Sequence, residues 1–222
     1  MKSSDKTLGA DWPVRRAKAA ATRLAIIRAA SGLFVADGYA GTSVQAVADG
    51  AGVSRATVFN SVGGKAQLLK AAYDIATVGD DEPIPLPQRP ELIAVRDEPD
   101  PRHSISLYAA VIAAIGERLS AIYEVFRAAS ISDREIHALW QEIQHQRLQG
   151  ARGFVTILST KTPLREGLDP DIAGDVVWTL IDASLYHRLC ADRGWSRTQF
   201  ESWLAATLDA QLLPTRDATR RR

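Results

Sequence analysis

Thr42-Ser-Val-Gln-Ala-Val-Ala-Asp-Gly-Ala-Gly-Val-Ser-Arg-Ala-Thr-Val-Phe-Asn-Ser-Val-Gly-Gly-Lys-Ala-Gln-Leu-Leu69 decides the fold of this chain. It reads as two short helices joined by a tight turn, followed by the start of a third. Thr42 and Gln45 form a capping-box pattern, in which the hydroxyl accepts a backbone N–H and the glutamine reaches back to the cap. Val44, Val47 and Ala48 then give a one-sided apolar face at helical spacing. Asp49-Gly50-Ala51-Gly52 stops the helix, with Gly52 where the turn needs a left-handed residue. Val53 plugs the corner. Ser54 is a good N-cap for the next helix, from Arg55 to about Asn60. Two helices around a short glycine-containing turn make a helix-turn-helix, whose second helix enters the DNA major groove.

Working outward, Pro13 suits the first turn of a helix running to about Asp37, with Ile26, Ile27, Ala30, Leu33 and Phe34 as its apolar stripe. Gly38 ends it. Gly63 and Gly64 separate the recognition helix from a fourth helix, about residues 65–77. The segment 79–101 holds Pro83, Pro85, Pro87, Pro90, Pro99 and Pro101. That density forbids a continuous helix, so a linker with one short helical turn near residues 91–95 is expected. The chain divides accordingly into 13–78 and 79–213.

The second part reads as helices throughout. A long one spans about 102–129, with Tyr108, Val111, Ile112, Ile115, Leu119, Ile122, Tyr123 and Phe126 at three- and four-residue steps. Ser132 and Glu135 form a capping-box pattern for a helix to about Ser159. After a loop at 160–168, Asp169-Pro170 starts a helix that ends near Arg193-Gly194. Ser196 and Gln199 cap the last one, which carries Phe200, Trp203, Leu204, Leu208, Leu212 and Leu213. No useful strand alternation and no internal repeat are present. The expected class is all-α, about nine helices.

The many residues in fixed order over this N-terminal region resemble the DNA-binding domain of the TetR/AcrR family of transcriptional regulators. The resemblance is carried by Ile27, Ala30, Leu33, Phe34, Gly38-Tyr39, Thr42-Ser43-Val44, Val47-Ala48, Ala51-Gly52-Val53-Ser54, Thr57-Val58-Phe59, Lys65 and Leu68-Leu69. Two departures stand out. The family usually has tyrosine where this chain has Phe59, which removes one expected phosphate contact. It usually has an aromatic residue where this chain has Val62, which leaves a smaller plug behind the recognition helix.

The resemblance implies a homodimer on a roughly palindromic double-stranded DNA operator, with a small-molecule effector bound in the C-terminal bundle. It places Thr42, Ser43 and Lys65 at phosphate-clamping positions. On the recognition helix, Arg55 and Asn60 are the base readers by chemistry, since arginine forks onto guanine and asparagine onto adenine. Thr57 can meet a thymine methyl or a phosphate, and Ser54 and Phe59 complete the DNA-facing set. For the effector, Tyr108, Tyr123, Phe126, Trp140, Phe154 and Trp178 offer an aromatic lining, with Gln144 and Arg147 as orienting groups. The helix over 171–192 is apolar around most of its circumference, so it needs burial on two sides. That and the helix over 197–212 suggest a dimer interface, with Trp178, Leu185, Trp203 and Leu208 as core candidates.

Composition is ordinary for a soluble globular protein. The 222 residues are 46% hydrophobic and 24% charged, with a net charge of +1. The charge is uneven: residues 1–78 carry ten lysines and arginines against five aspartates. A basic end on a nearly neutral chain suits local binding to a polyanion. The single cysteine, Cys190, permits no intrachain disulfide and fits a reducing cytosol. No leader pattern opens the chain, and the longest apolar run, 108–115, is short for a membrane helix. Polar residues 1–11 and the basic end from Pro214 to Arg222 read as solvated tails.

Catalytic, metal and cofactor chemistry finds no residue set. His103, His137, His145 and His187 lack zinc-site spacing. There is no P-loop and no G-x-S-x-G, and Gly150 to Phe154 lies inside a helical pattern. A repressor released by an apolar or aromatic effector is the leading expectation. An architectural or division-linked DNA-binding protein of the same fold is the second, and an all-helical enzyme with a fortuitous helix-turn-helix the third.

Overall fold

The computed structural model describes residues 11–215, so the tails at 1–10 and 216–222, with Lys2, Lys6 and the three final arginines, lie outside it. The described residues form ten α-helices, a 3-10 turn and a π-helical turn, with no strand among them. They make two compact units divided between Ile75 and Ala76, three residues before the boundary expected from the prolines.

In the first unit, α1 (Asp11–Gly41) loses helical phase at Gly38, as expected. α2 (Val44–Gly50) and α3 (Arg55–Ser61) pack on each other and on α1. Ile26, Ile27, Ala30, Phe34, Val47, Ala48 and Val58 are buried between them, joined by Leu68 and Leu69 of α4 (Lys65–Val78). The turn between α2 and α3 depends on Gly52, whose φ of 66° is a conformation that a side chain would strain. Val53 is half-buried at that corner, with its N–H bonded to the Ala48 carbonyl.

The capping box at Thr42 and Gln45 does not form. Ser43 is the N-cap of α2, its hydroxyl accepting from Ala46 N at 3.0 Å. The Thr42 hydroxyl instead donates to the Gly38 carbonyl at 2.8 Å, and Gln45 reaches forward to Asp49. The physical reason is the break at Gly38: it leaves a free carbonyl that Thr42 satisfies, so the cap falls one residue later.

The second unit is built on α6 (Pro101–Ala129), N-capped by Asp100. α7 (Arg134–Ser159) packs against α8 (Pro170–Leu180), and α10 (Arg197–Leu212) lies along α6. Ile105, Tyr108, Ala109, Phe154, Leu158, Val177, Phe200, Leu204 and Leu208 form its core. The 101–129 stretch and residues 15–41 are each long and apolar enough on average to cross a membrane, which the run-length reading missed. In the fold both use their apolar residues to bury a core.

Four sequence expectations change here. The proline-rich segment is more than a linker: it holds a 3-10 turn at Leu86–Gln88 and a two-turn helix, α5 (Pro90–Asp97). Val95 of α5 is buried, and its carbonyl accepts from the Ser104 hydroxyl at 2.8 Å and from Lys161 Nζ at 2.7 Å. Arg89 grips Asp80 with both terminal nitrogens, which holds the Asp80 carboxyl down at about 2. The second change is at α7, which is capped by Asp133 rather than by Ser132: the Asp133 carboxylate accepts the N–H groups of both Glu135 and Ile136. Third, the single helix expected from 170 to 193 is broken. α8 stops at Leu180, Ile181 leaves helical geometry, and Asp182 caps a new short helix, α9 (Ala183–Tyr186), by accepting from Ser184 N at 2.8 Å. A π-helical turn, His187–Asp192, follows. The fourth is that the helices number ten rather than about nine, since α5 and α9 are separate elements.

α6 and α9 meet closely at Gly116. A Cβ there would lie 2.6 Å from the Tyr186 ring and 2.9 Å from its Cβ, so no larger residue fits without displacing α9. The Ser196–Gln199 capping box on α10 forms as expected, with both reciprocal bonds present.

Candidate functional sites

α3 leaves the residues expected to face DNA outward, because Val58 alone of its residues is buried. Ser54 caps the helix, its hydroxyl accepting from Thr57 N at 3.1 Å and lying 2.8 Å from the Thr57 hydroxyl. Arg55, Phe59 and Asn60 are exposed, Thr57 partly so. The Arg55 guanidinium sits 5.5 Å from the centre of the Phe59 ring, one helical turn on. Phe59 is 46% exposed, unusual for a large apolar side chain on a short helix. At the other end, Arg23 of α1 donates to the Ser61 carbonyl at 2.6 Å and pins the last turn of α3. Sequence reading missed Arg23, because its partner lies 38 residues away and no motif encodes it.

The flanking residues separate into two kinds. Ser43 is exposed at the start of α2. Thr42 is only 3% exposed, and both its N–H and its hydroxyl are spent on the Gly38 carbonyl, so it shapes the entry to α2. Lys65, at the start of α4, is half-buried with its ammonium 4.3 Å from the centre of the Tyr39 ring and 3.4 Å from the Ala40 carbonyl. Val62 is the C-cap residue of α3 and is half-buried.

In the second unit, the eight effector candidates fall into two groups. Tyr108 and Phe154 are stacked face to face, 3.8 Å between ring centres and 8° between planes. Both belong to the packed core, and burial drives the Tyr108 phenol pKa upward. The other group surrounds a polar network. Trp140 leans on Tyr123 at 4.9 Å and on Phe126 at 6.0 Å. The Tyr123 hydroxyl donates to Asp182 at 2.7 Å and accepts from Gln144 at 3.1 Å and Arg147 at 3.0 Å. Arg147 also bonds Gln144 at 2.6 Å, the Trp178 carbonyl at 3.1 Å and the Asp182 carboxylate at 3.0 Å. Its guanidinium lies 5.5 Å from the centres of both the Tyr123 and Trp178 rings. Trp178 keeps a buried indole N–H with no hydrogen-bond partner.

Asp182 is the member that sequence reading did not single out. It does two jobs: one oxygen caps α9, the other receives Tyr123 and Arg147. Arg147 in turn takes a carbonyl left over at the end of α8. The break between α8 and α9 and the polar network are therefore one feature. The signal in the sequence was Asp182 itself, an N-cap residue type inside an apolar run, two residues before Ser184.

Of the dimer candidates, Leu208 is fully buried in the core of its own unit, so it is withdrawn as an interface residue: its side chain packs inward toward α6. Trp178, Leu185 and Trp203 are partly exposed. Ile172, on α8, is 55% exposed and was not foreseen.

Residues 26–72 match the family of bacterial regulatory proteins called tetR, the segment that holds α2, α3 and the first half of α4. No curated protein matches the chain. Among solved structures, NalD, the secondary repressor of the MexAB-OprM multidrug efflux pump in Pseudomonas aeruginosa, is 22% identical with a TM-score of 0.64, over 86% of this chain and 95% of NalD. FadR from Bacillus subtilis, solved with stearoyl-CoA, is 18% identical with a TM-score of 0.63, over 83% of this chain and 96% of FadR. SmeT, solved with triclosan, is 19% identical with a TM-score of 0.61, over 87% of this chain and 92% of SmeT. At these identities the likeness is one of fold.

Proposed function

We propose that this chain, a transcriptional regulator of the tetR family, is a ligand-responsive repressor released from a palindromic operator by a small apolar or aromatic effector. The observation that carries the reading is α3: capped by Ser54, pinned by Arg23, and offering Arg55 and Asn60 to solvent. Arginine and asparagine are the side chains that fork onto guanine and adenine in the major groove. Ser43 and Lys65, near helix N-termini, supply the backbone anchors, since such ends favour phosphate. Two-fold symmetry then requires half-sites about one helical turn, ~34–36 Å, apart.

The effector region is the set around Tyr123, Phe126, Trp140, Gln144, Arg147 and Trp178, with the Tyr108–Phe154 stack beside Trp178. Mostly aromatic surroundings with a few convergent polar groups suit a small apolar ligand with one polar end. NalD is a repressor, FadR was solved with stearoyl-CoA and SmeT with triclosan, which supports regulation by a ligand without naming the ligand of this chain. The dimer forms through α8, α9 and α10, using Ile172, Trp178, Leu185 and Trp203. The protein works in the cytoplasm and needs no membrane partner.

Effector binding acts on DNA by shifting the fourth helix and thereby the spacing of the two recognition helices. Half-site geometry is strict, so a few ångströms are enough to lose the operator. A ligand screen by tryptophan fluorescence, followed by operator titration with each hit, tests the coupling. Linkage requires that a ligand which weakens operator binding is itself weakened by operator. A tight binder of the bundle that leaves operator affinity unchanged would sink the coupling, and sedimentation as a monomer at micromolar concentration would sink the dimer.

A further inference from the structure

Phe59 poses a question that phosphate anchoring does not answer. It is 46% exposed on α3, with no hydroxyl to offer a phosphate, yet the Arg55 guanidinium is folded over its ring at 5.5 Å. An apolar ring held in water next to a cationic fork is the chemistry of two neighbouring base edges. Guanine presents two acceptors in the major groove, and thymine presents a C5-methyl group. Residues four apart on a helix rise about 6 Å, under two base-pair steps of about 3.4 Å, and here the guanidinium lies over the ring, 5.5 Å from its centre.

Resting on the reading of α3 as a DNA-recognition helix, we propose that Arg55 and Phe59 act as one unit that reads a guanine and an adjacent thymine. Arg55 bonds guanine O6 and N7, and Phe59 covers the thymine methyl. Phe59 also restricts the Arg55 guanidinium before DNA arrives, so less freedom is lost on binding. A tyrosine at this position would keep the ring and add a hydroxyl for a phosphate; the phenylalanine offers the ring alone.

The test uses the full-length protein and the operator recovered by selecting DNA fragments with it. Each thymine is replaced in turn by uracil, which removes only the methyl group. Burying one such group predicts about fourfold weaker binding for one half-site and about fifteenfold when both are changed. The sensitive thymine adjoins the guanine whose preference Arg55→Ala relaxes. Phe59→Ala binds thymine and uracil operators equally, while Phe59→Tyr, which keeps the ring, still discriminates. Wild-type protein indifferent to uracil at every half-site thymine would overturn the proposal, whatever the variants do. So would discrimination that survives Phe59→Ala, or that is lost in Thr57→Ala instead. If no palindrome is selected at all, it is the reading of the chain as an operator-binding regulator that fails.

Discussion

The recognition helix and the Tyr123–Arg147–Asp182 network are both polar constellations next to aromatic rings, and they are built in opposite ways. On α3, Arg55 and Asn60 stand in water, and only the helix ends are tied, by Ser54 and Arg23. In the second unit, the Tyr123 hydroxyl has its donor and both acceptor sites taken, and Arg147 touches four other residues. Charges left in water can act on a distant polyanion, which suits the proposed DNA contact. If this network is the proposed effector site, an effector with a polar end must replace bonds already made. Tyr123 follows from this: burial and the neighbouring Asp182 raise its pKa, so it stays a neutral donor at any physiological pH.

Breaking the internal network should have the largest effect. Arg147→Ala leaves Asp182 half-buried without its cation and removes two bonds from the Tyr123–Gln144 pair. The expected loss is about 3 kcal/mol, or on the order of 6–12 °C in Tm, read by thermal melting. A change within error would mean that solvent replaces Arg147 freely. On the exposed side, Arg55→Ala should leave Tm alone. It should weaken operator binding by about 2 kcal/mol, with relaxed preference at one base pair per half-site. Equal weakening on every sequence would reassign Arg55 to the phosphate backbone.

The remaining two variants sharpen the contrast at smaller scale. Ser54→Ala removes the cap of α3 and should lower stability by about 1 kcal/mol, with operator binding weakened as the helix end frays. Unchanged melting would show that Arg23 alone holds the helix. Lys65→Ala should weaken binding on all sequences and reduce the salt dependence by about one unit per half-site. Because its ammonium already lies against Tyr39 and Ala40, an unchanged salt slope would make Lys65 a structural tie between the start of α4 and the 39–40 turn.

What could be read from the chain differs between the same two regions. The helix-turn-helix was legible because its signals are local: Gly52 in the left-handed turn, Ser54 at the cap, valines on one face. Even there, the box expected at Thr42 does not form and the cap falls on Ser43, since the free Gly38 carbonyl takes the Thr42 hydroxyl. In the second unit, helix existence was legible and side-chain destiny was not. Leu208 and Trp203 occupy the same apolar pattern, yet only packing against α6 decides that Leu208 is core. Gln144 and Arg147 stand one and two turns beyond Trp140, a spacing visible in the chain. Their shared partner, Asp182, lies 35 residues from Arg147, on a helix start hidden inside an apolar run.

The central claim is that α3 reads an operator as one of a symmetric pair. The most direct measurement is deep sequencing of random DNA fragments retained by the purified full-length protein, repeated with Arg55→Ala. The expected result is a palindromic motif with half-site centres about one helical turn apart and a guanine in each half whose enrichment falls in the variant. Retention with no enriched motif, or a motif identical in both proteins, would contradict it.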